Sequence, residues 1–272
     1  MQVSIIGTGY VGLVTAACLA EHGHQVTCVD VDPERVAAVN GGRSPIHEAG
    51  LDALLKRLAG DRLRATTDME KALRETGLSI VAVGTPFDGT AIDLTQIEQV
   101  SRQIGKVLGT KEAYHTVVIK STVIPGTTDD LVIPLLEQAS GKRAGADFGV
   151  GMNPEFLREG VALQDAMSPD RVVIGGMDER SLDQLSELYA RFIDDGVEVI
   201  RTTPRTAETI KYTSNALFAT LISFANEIGN LCATHGDVDV TEVMRAVHLD
   251  HRLSPVAGDG DRVIPGFTTY LQ

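Results

Sequence analysis

The stretch IIGTGYVGLVTAACLAEHGHQVTCVDVD, residues 5–32, decides how the rest of the chain is read. A short apolar run is followed at once by Gly7, Gly9 and Gly12, a G-x-G-x-x-G spacing at the mouth of an apolar helical pattern. Glycines there permit a tight turn and let backbone N–H groups approach a pyrophosphate at the positive end of the helix. The second apolar run ends in Asp30, about twenty residues on, where such units place the acid that holds a ribose. A carboxylate at that point accepts hydrogen bonds from a ribose 2′-hydroxyl and repels a 2′-phosphate. The spacing therefore favours NAD over NADP, with Arg35 the nearby residue that works the other way.

Outward from this unit, runs rich in β-branched residues alternate with helical patterns: after VSII come QVTCVD, LRATT, LSIVAV, HTVVIKS, DFGVGM, RVVIGG and VEVIRT. Asp32 and Pro33 read as N-cap and first helical residue, and Gly23 and Gly41 as residues just past helix ends. Alternation of this kind predicts an α/β fold, a doubly wound, mostly parallel sheet covered on both faces, in a Rossmann-like NAD-binding domain. Near residue 205 the alternation stops and a helix of roughly thirty residues begins, apolar around much of its circumference. The reading divides the chain into 1–205, the nucleotide-binding domain, and 206–272, the long helix and the start of a helical domain. Such a helix needs partners on more than one side, which predicts a homodimer built on it. VTEVMRAVH reads as a further helix and LSPVAGDGDRVIPG as loop.

With 272 residues and 43% hydrophobic content, at a mean hydropathy near zero, the chain can bury one large core and part of a second domain. A net charge of −13 and a pI near 4.9 argue against a general nucleic-acid or anionic-membrane binder, because those partners need a positive field. Any anionic ligand must be held locally. Cys18, Cys28 and Cys232 are odd in number and read as lying on a helix, a strand and a helix, the pattern of a reducing compartment. No charged and apolar leader precedes QVSIIG, and the longest apolar run, ALFATLISFA, is shorter than a bilayer-spanning segment. These features predict a cytoplasmic protein with neither a membrane nor a nucleic-acid partner.

In a doubly wound sheet ligands lie beyond the carboxyl ends of the strands. VAVGTPFDGT places Thr85 there, KSTVIPGTT places Ser121 and Thr122, and GMNPEFLREG places Glu155 and Glu159. NPEFLREG reads as a short helix with Asn153 as cap, Pro154 at its first position and Gly160 as its stop. That helix sets Glu155 and Glu159 on one face with Arg158 beside them, where acid–base chemistry on a bound sugar could be done. In ETIKYTSNALFATLISFANEIGNL, Lys211 and Asn215 share a face of the long helix. Two readings stand there: an exposed Glu208–Lys211 pair with Asn215 beside it, or one wall of an active site. His248, Asp250 and His251 lack a fourth ligand, so no metal is expected. His22, His24, His47, His115 and His235 form no constellation.

IGTGYVGL, VAVGTP, KSTVIPGTT, NPEFLREG, SPDRVVIG and AETIKYTSNALFATLISFANEIGNL, in this order across essentially the whole chain, resemble the UDP-glucose/GDP-mannose dehydrogenase family. The resemblance implies a nucleotide-sugar 6-dehydrogenase that oxidises the C6 alcohol of a nucleotide-bound hexose to a carboxylate, in two hydride transfers to two NAD+. UDP-glucose stands first among the substrates. It implies that Lys211 and Asn215 lie at the reacting C6, that Glu155 has an acid–base role and that Glu159 approaches the nicotinamide. The backbone of Glu155, Phe156, Leu157, Arg158 and Glu159 would contact the sugar nucleotide. Thr122 would orient a catalytic water or touch the cofactor, and Tyr10, Val11, Asp30, Arg35 and Thr85 would contact NAD beside the three glycines.

Family members also supply a cysteine nucleophile from a glycine-rich segment after the long helix, and a third domain over the nucleotide. No such segment occurs before Gln272. Cys18 and Cys28 read as packed side chains, and Cys232 lies about six turns from Lys211 along the helix. The expectation is that residues 1–272 alone do not complete the oxidation and that the gene continues. SPDRVVIG leans toward UDP-glucose members and SFANEIGN toward GDP-mannose members, which leaves the nucleotide open. A non-catalytic NAD-binding module that dimerises through the helix is the reading from another class.

Overall fold

A computed structural model describes residues 1–250; His251 and the stretch LSPVAGDGDRVIPG lie outside the described residues. The chain divides into two compact units, Met1–Tyr212 and Thr213–Gln272. The first holds one eight-stranded sheet of β1 (Gln2–Ile6), β2 (Gln25–Val29), β3 (Leu63–Thr66), β4 (Leu78–Val81), β5 (Thr116–Ile119), β6 (Gly149–Met152), β7 (Arg171–Gly176) and β8 (Glu198–Thr202). Their order is β3-β2-β1-β4-β5-β6-β7-β8. Every neighbouring pair is parallel except β6 with β7. All eight runs read as strands are strands, and the sheet is doubly wound and mostly parallel.

The helices are α1 (Tyr10–Glu21), α2 (Pro33–Asn40), α3 (Leu51–Leu58), α4 (Met69–Glu75), α5 (Thr95–Thr110), α6 (Ile133–Ser140), α7 (Ala162–Met167), α8 (Glu179–Leu188), α9 (Ala190–Asp194), α10 (Pro204–His235) and α11 (Val240–His248). A π-helical turn, Thr128–Val132, runs into α6. Strands β4, β5 and β6 are buried at every position, as helices on both faces require. Alternate residues serve the two faces. Val3, Ile5, Ile80 and Val118 pack with Leu13, Leu54 and Leu185 of α1, α3 and α8. Val81, Val117 and Ile119 pack with Ile104 and Leu136 of α5 and α6.

The punctuation works through identifiable bonds. Asp32 caps α2 by accepting from Glu34 N at 2.9 Å, with Pro33 in the first turn. Gly23, just past α1, takes a left-handed φ of +98°. After α2 it is Gly42 that does so, at φ +67°, while Gly41 stays at φ −81°. The helix therefore reverses one residue later than the sequence suggests.

Ala207 and Glu208 of α10 are fully buried, and Ala207 belongs to the sheet core. The first turns of this helix are thus part of the first unit, and the division between units falls inside α10, beyond the 205/206 boundary read from the sequence. In the second unit, Leu217, Leu221, Phe224 and Leu231 are exposed, with Phe218 at 61% and Ile222 at 62%. By length and composition α10 is also long and apolar enough to cross a membrane. The length of its longest apolar run understates this, because Asn226 and Glu227 end the run without making the helix polar on average. The same properties suit a helix packed against protein on several sides.

Candidate active site

The connection from β1 runs to β2 on one side and the one from β3 crosses back to β4 on the other, so the carboxyl ends of β1 and β4 flank the switch point where such sheets hold ligands. The glycine turn lies there. A Cβ on Gly7 would stand 2.6 Å from the Ala82 carbonyl, and one on Gly12 would stand 1.9 Å from the Gly7 carbonyl, so close approach of backbone requires both glycines. Gly9 differs: nothing lies within 4 Å of its absent Cβ. As the N-cap of α1 it supplies no side chain, and the first turn of α1 has no acid. The helix's first N–H groups and its positive end, where Tyr10 and Val11 begin, are left for an anion.

Asp30 follows β2 directly and is half-buried. Its Oδ2 accepts from Thr8 N at 2.8 Å and from the Thr8 hydroxyl, and its Oδ1 accepts from Asp32 N at 3.0 Å. Burial acts to raise its pKa, but those hydrogen bonds and the nearby Arg35 charge outweigh burial and hold the carboxyl below its usual range. Arg35 lies across the turn, with Nη1 3.5 Å from the Thr8 carbonyl and Nε 3.6 Å from Asp32. An open glycine, an uncapped helix end and a charged carboxylate beside it fit a dinucleotide: the amides for the pyrophosphate, Asp30 for a ribose.

The next two strand ends are laced together. Thr85 after β4 donates its hydroxyl hydrogen to the Thr122 carbonyl at 2.7 Å. Ser121 after β5 is buried, and its hydroxyl donates to the Val83 carbonyl at 2.7 Å.

After β6 the structure corrects the sequence reading. Residues 153–160 are loop, not helix. Asn153 does not cap; its Nδ2 donates to the Val173 carbonyl at 2.9 Å, and its Oδ1 accepts from Lys120 Nζ at 2.9 Å and from the Tyr189 hydroxyl at 2.5 Å. Glu155 accepts from Leu157 N at 2.6 Å within the loop. Glu155 and Glu159 therefore share no helix face: Glu155 turns inward and Glu159 is exposed. Arg158 pairs with Asp165 at 2.7 Å.

The exposed-pair reading of Glu208 and Lys211 is also overturned, since Glu208 is 0% exposed and Lys211 6%. Lys211 Nζ lies 2.8 Å from Glu155 Oε1 and 5.4 Å from the centroid of the Phe156 ring, which also carries the Arg171 guanidinium at 4.1 Å. Glu208 instead accepts from Gly126 N at 2.5 Å, Thr128 N at 2.8 Å and the Thr128 hydroxyl at 2.6 Å. Burial raises its pKa despite those bonds. Asn215 lies on α10 in the second unit, exposed.

Two residues escaped the sequence reading. Lys120 ends the buried run HTVVIK, so its stem has no water to reach; burial pushes its pKa down to about 8, against the opposing pull of Glu155. Its position on a strand closed on both faces was the available signal. Glu48, buried in the loop between α2 and α3, had none. Cys18 and Cys28 are buried, and burial pushes both thiols up to about 12. Among the described residues no group of His, Cys, Asp and Glu could hold a metal ion.

Comparison with known proteins follows the same lines. Residues 1–193 match the NAD binding domain, and residues 205–271 the central domain, of the UDP-glucose/GDP-mannose dehydrogenase family. The chain is 46% identical over 256 residues to UDP-glucose 6-dehydrogenase of Haloferax volcanii, covering 93% of this chain and 59% of that protein. It is 48% identical over 257 residues to GDP-mannose 6-dehydrogenase of Pseudomonas aeruginosa, covering 93% and 58%. Among solved structures, a ternary complex of GDP-mannose dehydrogenase from Pseudomonas aeruginosa is similar at TM-score 0.88 and 48% identity, over 92% of this chain and 57% of that one. A UDP-glucose dehydrogenase from Pyrobaculum islandicum is similar at TM-score 0.86 and 42% identity, over 93% and 57%. The chain thus spans 58–59% of the length of these curated relatives.

Proposed function

The chain belongs to the UDP-glucose/GDP-mannose dehydrogenase family, and from that premise we propose that it holds the cofactor site and the acid–base pair of a nucleotide-sugar 6-dehydrogenase. Its cofactor is NAD. The observation that carries the proposal is the pairing of buried Lys211, on the first turns of α10, with half-buried Glu155, on the loop after β6, 2.8 Å apart, in the same unit as the glycine turn.

The proposed reaction oxidises the C6 hydroxymethyl group of a nucleotide-bound hexose. NAD+, when bound, accepts hydride. Glu155, aimed inward by its bond from Leu157 N, takes the proton of the C6 hydroxyl. Lys211, whose Nζ lies 2.8 Å from Glu155 Oε1, stabilises the negative charge on that oxygen as the C–H bond breaks. In this reading Glu159 faces the nicotinamide, and Thr122 orients a water or touches the cofactor. The backbone of Phe156, Leu157 and Arg158 contacts the sugar nucleotide. Carrying the aldehyde on to the acid needs a nucleophile. Cys18 and Cys28, buried with pKa values near 12, do not serve as thiolates.

UDP-glucose is the substrate we propose first, on the motif SPDRVVIG, and GDP-mannose is the competing arm of the same assay. We further propose a homodimer through α10, whose exposed Leu217, Phe218, Leu221 and Ile222 form a larger apolar surface than monomers usually leave to water. The test of function is NADH formation at 340 nm from each sugar nucleotide, by a chain extended to the length of the relatives. Two NADH per sugar are expected from one of them; no NADH from any nucleotide hexose would sink the proposal.

A further inference from the structure

One side chain joins the cofactor turn to the segment after β6. Tyr10, the first residue of α1, donates its phenol hydrogen to Glu48 Oε2, and the Tyr10 phenol oxygen accepts from Gly160 N at 2.6 Å. Glu48 Oε1 accepts from Leu163 N at 3.1 Å, in the first turn of α7. Glu48 is buried, and Tyr10 and Leu163 pack against the same core. A closed ring of bonds therefore ties the glycine turn to residues 160–163, immediately beyond Glu159. Gly160 takes φ +87°, a conformation closed to most side chains, so its amide is presented by backbone geometry that only glycine adopts readily. Burial and the Glu48 bond raise the Tyr10 pKa, which keeps the phenol a donor at neutral pH.

We propose that Tyr10 and Glu48 are positioning residues that couple occupancy of the glycine turn to the conformation of residues 155–163; this rests on the reading of the turn as the NAD site. A pyrophosphate drawn onto the first amides of α1 restrains the backbone of Tyr10. The aromatic ring transmits that restraint with two rotatable bonds, directly to the Gly160 amide and through Glu48 to Leu163. The segment holding Glu155 and Glu159 is thereby ordered by the pyrophosphate at the turn, apart from any direct contact of a nicotinamide with Glu159, and by linkage a ligand that orders the segment tightens the turn to the same degree.

ADP-ribose is the probe, because it fills the turn without a nicotinamide that could reach Glu159 directly. Amide hydrogen exchange of the 272-residue chain, with and without saturating ADP-ribose, reads the coupling. In the parent chain exchange at Gly160 and Leu163 is expected to slow about tenfold on binding. In Glu48→Ala the ligand still protects the first turn of α1, but the slowing at 160–163 is lost. Glu48→Gln rescues it, because the amide oxygen accepts from Leu163 while the NH2 group donates to the Tyr10 oxygen. Tyr10→Phe, which deletes one hydroxyl and keeps the packing, loses the slowing even if Glu48→Ala does not fold. Slowing of parent size in Glu48→Ala or Tyr10→Phe overturns the proposal. A parent chain whose turn is protected while 160–163 is indifferent overturns it alone, whereas no protection of the turn overturns the cofactor reading as well.

Discussion

Two lysines are buried at opposite ends of β5, and the chain treats them differently. At the amino end Lys111 donates to the Leu73 carbonyl at 2.5 Å, to the Thr76 carbonyl, and meets His115 Nδ1 at 2.9 Å. His115 Nε2 lies 2.7 Å from Ser79 Oγ, which meets Ser4 Oγ at 2.6 Å. Each polar atom in this chain of bonds is closed on a carbonyl, a ring nitrogen or a hydroxyl. At the carboxyl end Lys120 is held by Asn153 Oδ1 and lies in the field of Glu155 and Lys211. Burial pushes both ammonium groups down to about 8. A depressed lysine pKa therefore does not by itself mark a reactive site. The distinguishing feature is the neighbouring carboxylate, Glu155, on a loop at the edge where ligands enter.

The largest expected effect tests that distinction by rate. In the extended chain, Lys211→Ala should lower kcat by roughly 10²–10³, as loss of one oxyanion-stabilising donor does. Lys111→Met should leave kcat within a few-fold. Steady-state NADH formation measures both, and equal losses would abolish the contrast between the closed network around Lys111 and the carboxylate-paired lysine beside Glu155.

The second effect is one the two lysines share. A folded-state pKa near 8 for Lys120, against an ordinary value near 10.5, means that both folded and unfolded chains hold the proton below pH 8. There the penalty of the buried charge is complete. Between pH 8 and 10.5 the folded chain sheds the proton first, so this contribution grows more favourable as pH rises, by about 3 kcal/mol in all. Urea unfolding at pH 7 and pH 10 should show the stability gap between parent and Lys120→Met shifting by most of that amount in favour of the parent. A gap independent of pH would mean that Lys120 is solvated or more tightly paired with Glu155. His115 has the opposite window. Burial, helped by the Lys111 charge, lowers its pKa to about 3, so it withdraws stability as pH falls from 6.5 toward 3, and His115→Gln should flatten that acid limb.

A smaller effect separates the two networks at neutral pH. Lys111→Met removes the ammonium donor of the Leu73 carbonyl and leaves the Thr76 carbonyl to His115 Nδ1, 3.0 Å away, which should destabilise the fold by about 1–3 kcal/mol, partly offset by relief of the buried charge. Calorimetric melting at pH 7 measures it. NADH affinity of the folded variant should equal that of the parent, since nothing in this network touches the glycine turn; a tenfold loss would show that the amino end of β5 is coupled to the cofactor.

The same contrast explains what could be read from residues alone. The strands were legible because β4, β5 and β6 are short, mostly apolar runs, buried at every position and closed on both faces. The glycine turn and Asp30 were legible because their spacing is local. The loop 153–160 was not: Asn153, Pro154 and Gly160 carry helix signals, but the Asn153 side chain is claimed by Lys120, Val173 and Tyr189. Glu208 misled for the same reason. Three residues from Lys211 it suggests a surface pair, yet its hydrogen-bond partners are Gly126 and Thr128, 82 and 80 positions away. Local spacing cannot reveal competition from distant donors, and polar residues near the site are where such competition is strongest.

The smallest expected effect lies at the turn itself. Asp30 is charged and already satisfied by Thr8 and Asp32, so a ribose must share its oxygens rather than find them free. Asp30→Ala removes the acceptor for a 2′-hydroxyl and the repulsion of a 2′-phosphate together, and leaves Arg35 as the nearest charge. NAD+ affinity should fall about tenfold, close to the value of one charge-assisted hydrogen bond, while NADP+ affinity holds or rises. Calorimetric titration of residues 1–272 with both cofactors measures the two changes separately. Because Thr8 N loses its partner as well, part of the loss would come from a loosened turn. Asp30→Asn distinguishes the contributions: it keeps an acceptor for the Thr8 amide and a neutral group toward the ribose, so it should recover the turn without recovering the discrimination. If Asp30→Asn still prefers NAD+ as strongly as the parent, the preference resides in the shape of the turn and not in the charge of Asp30.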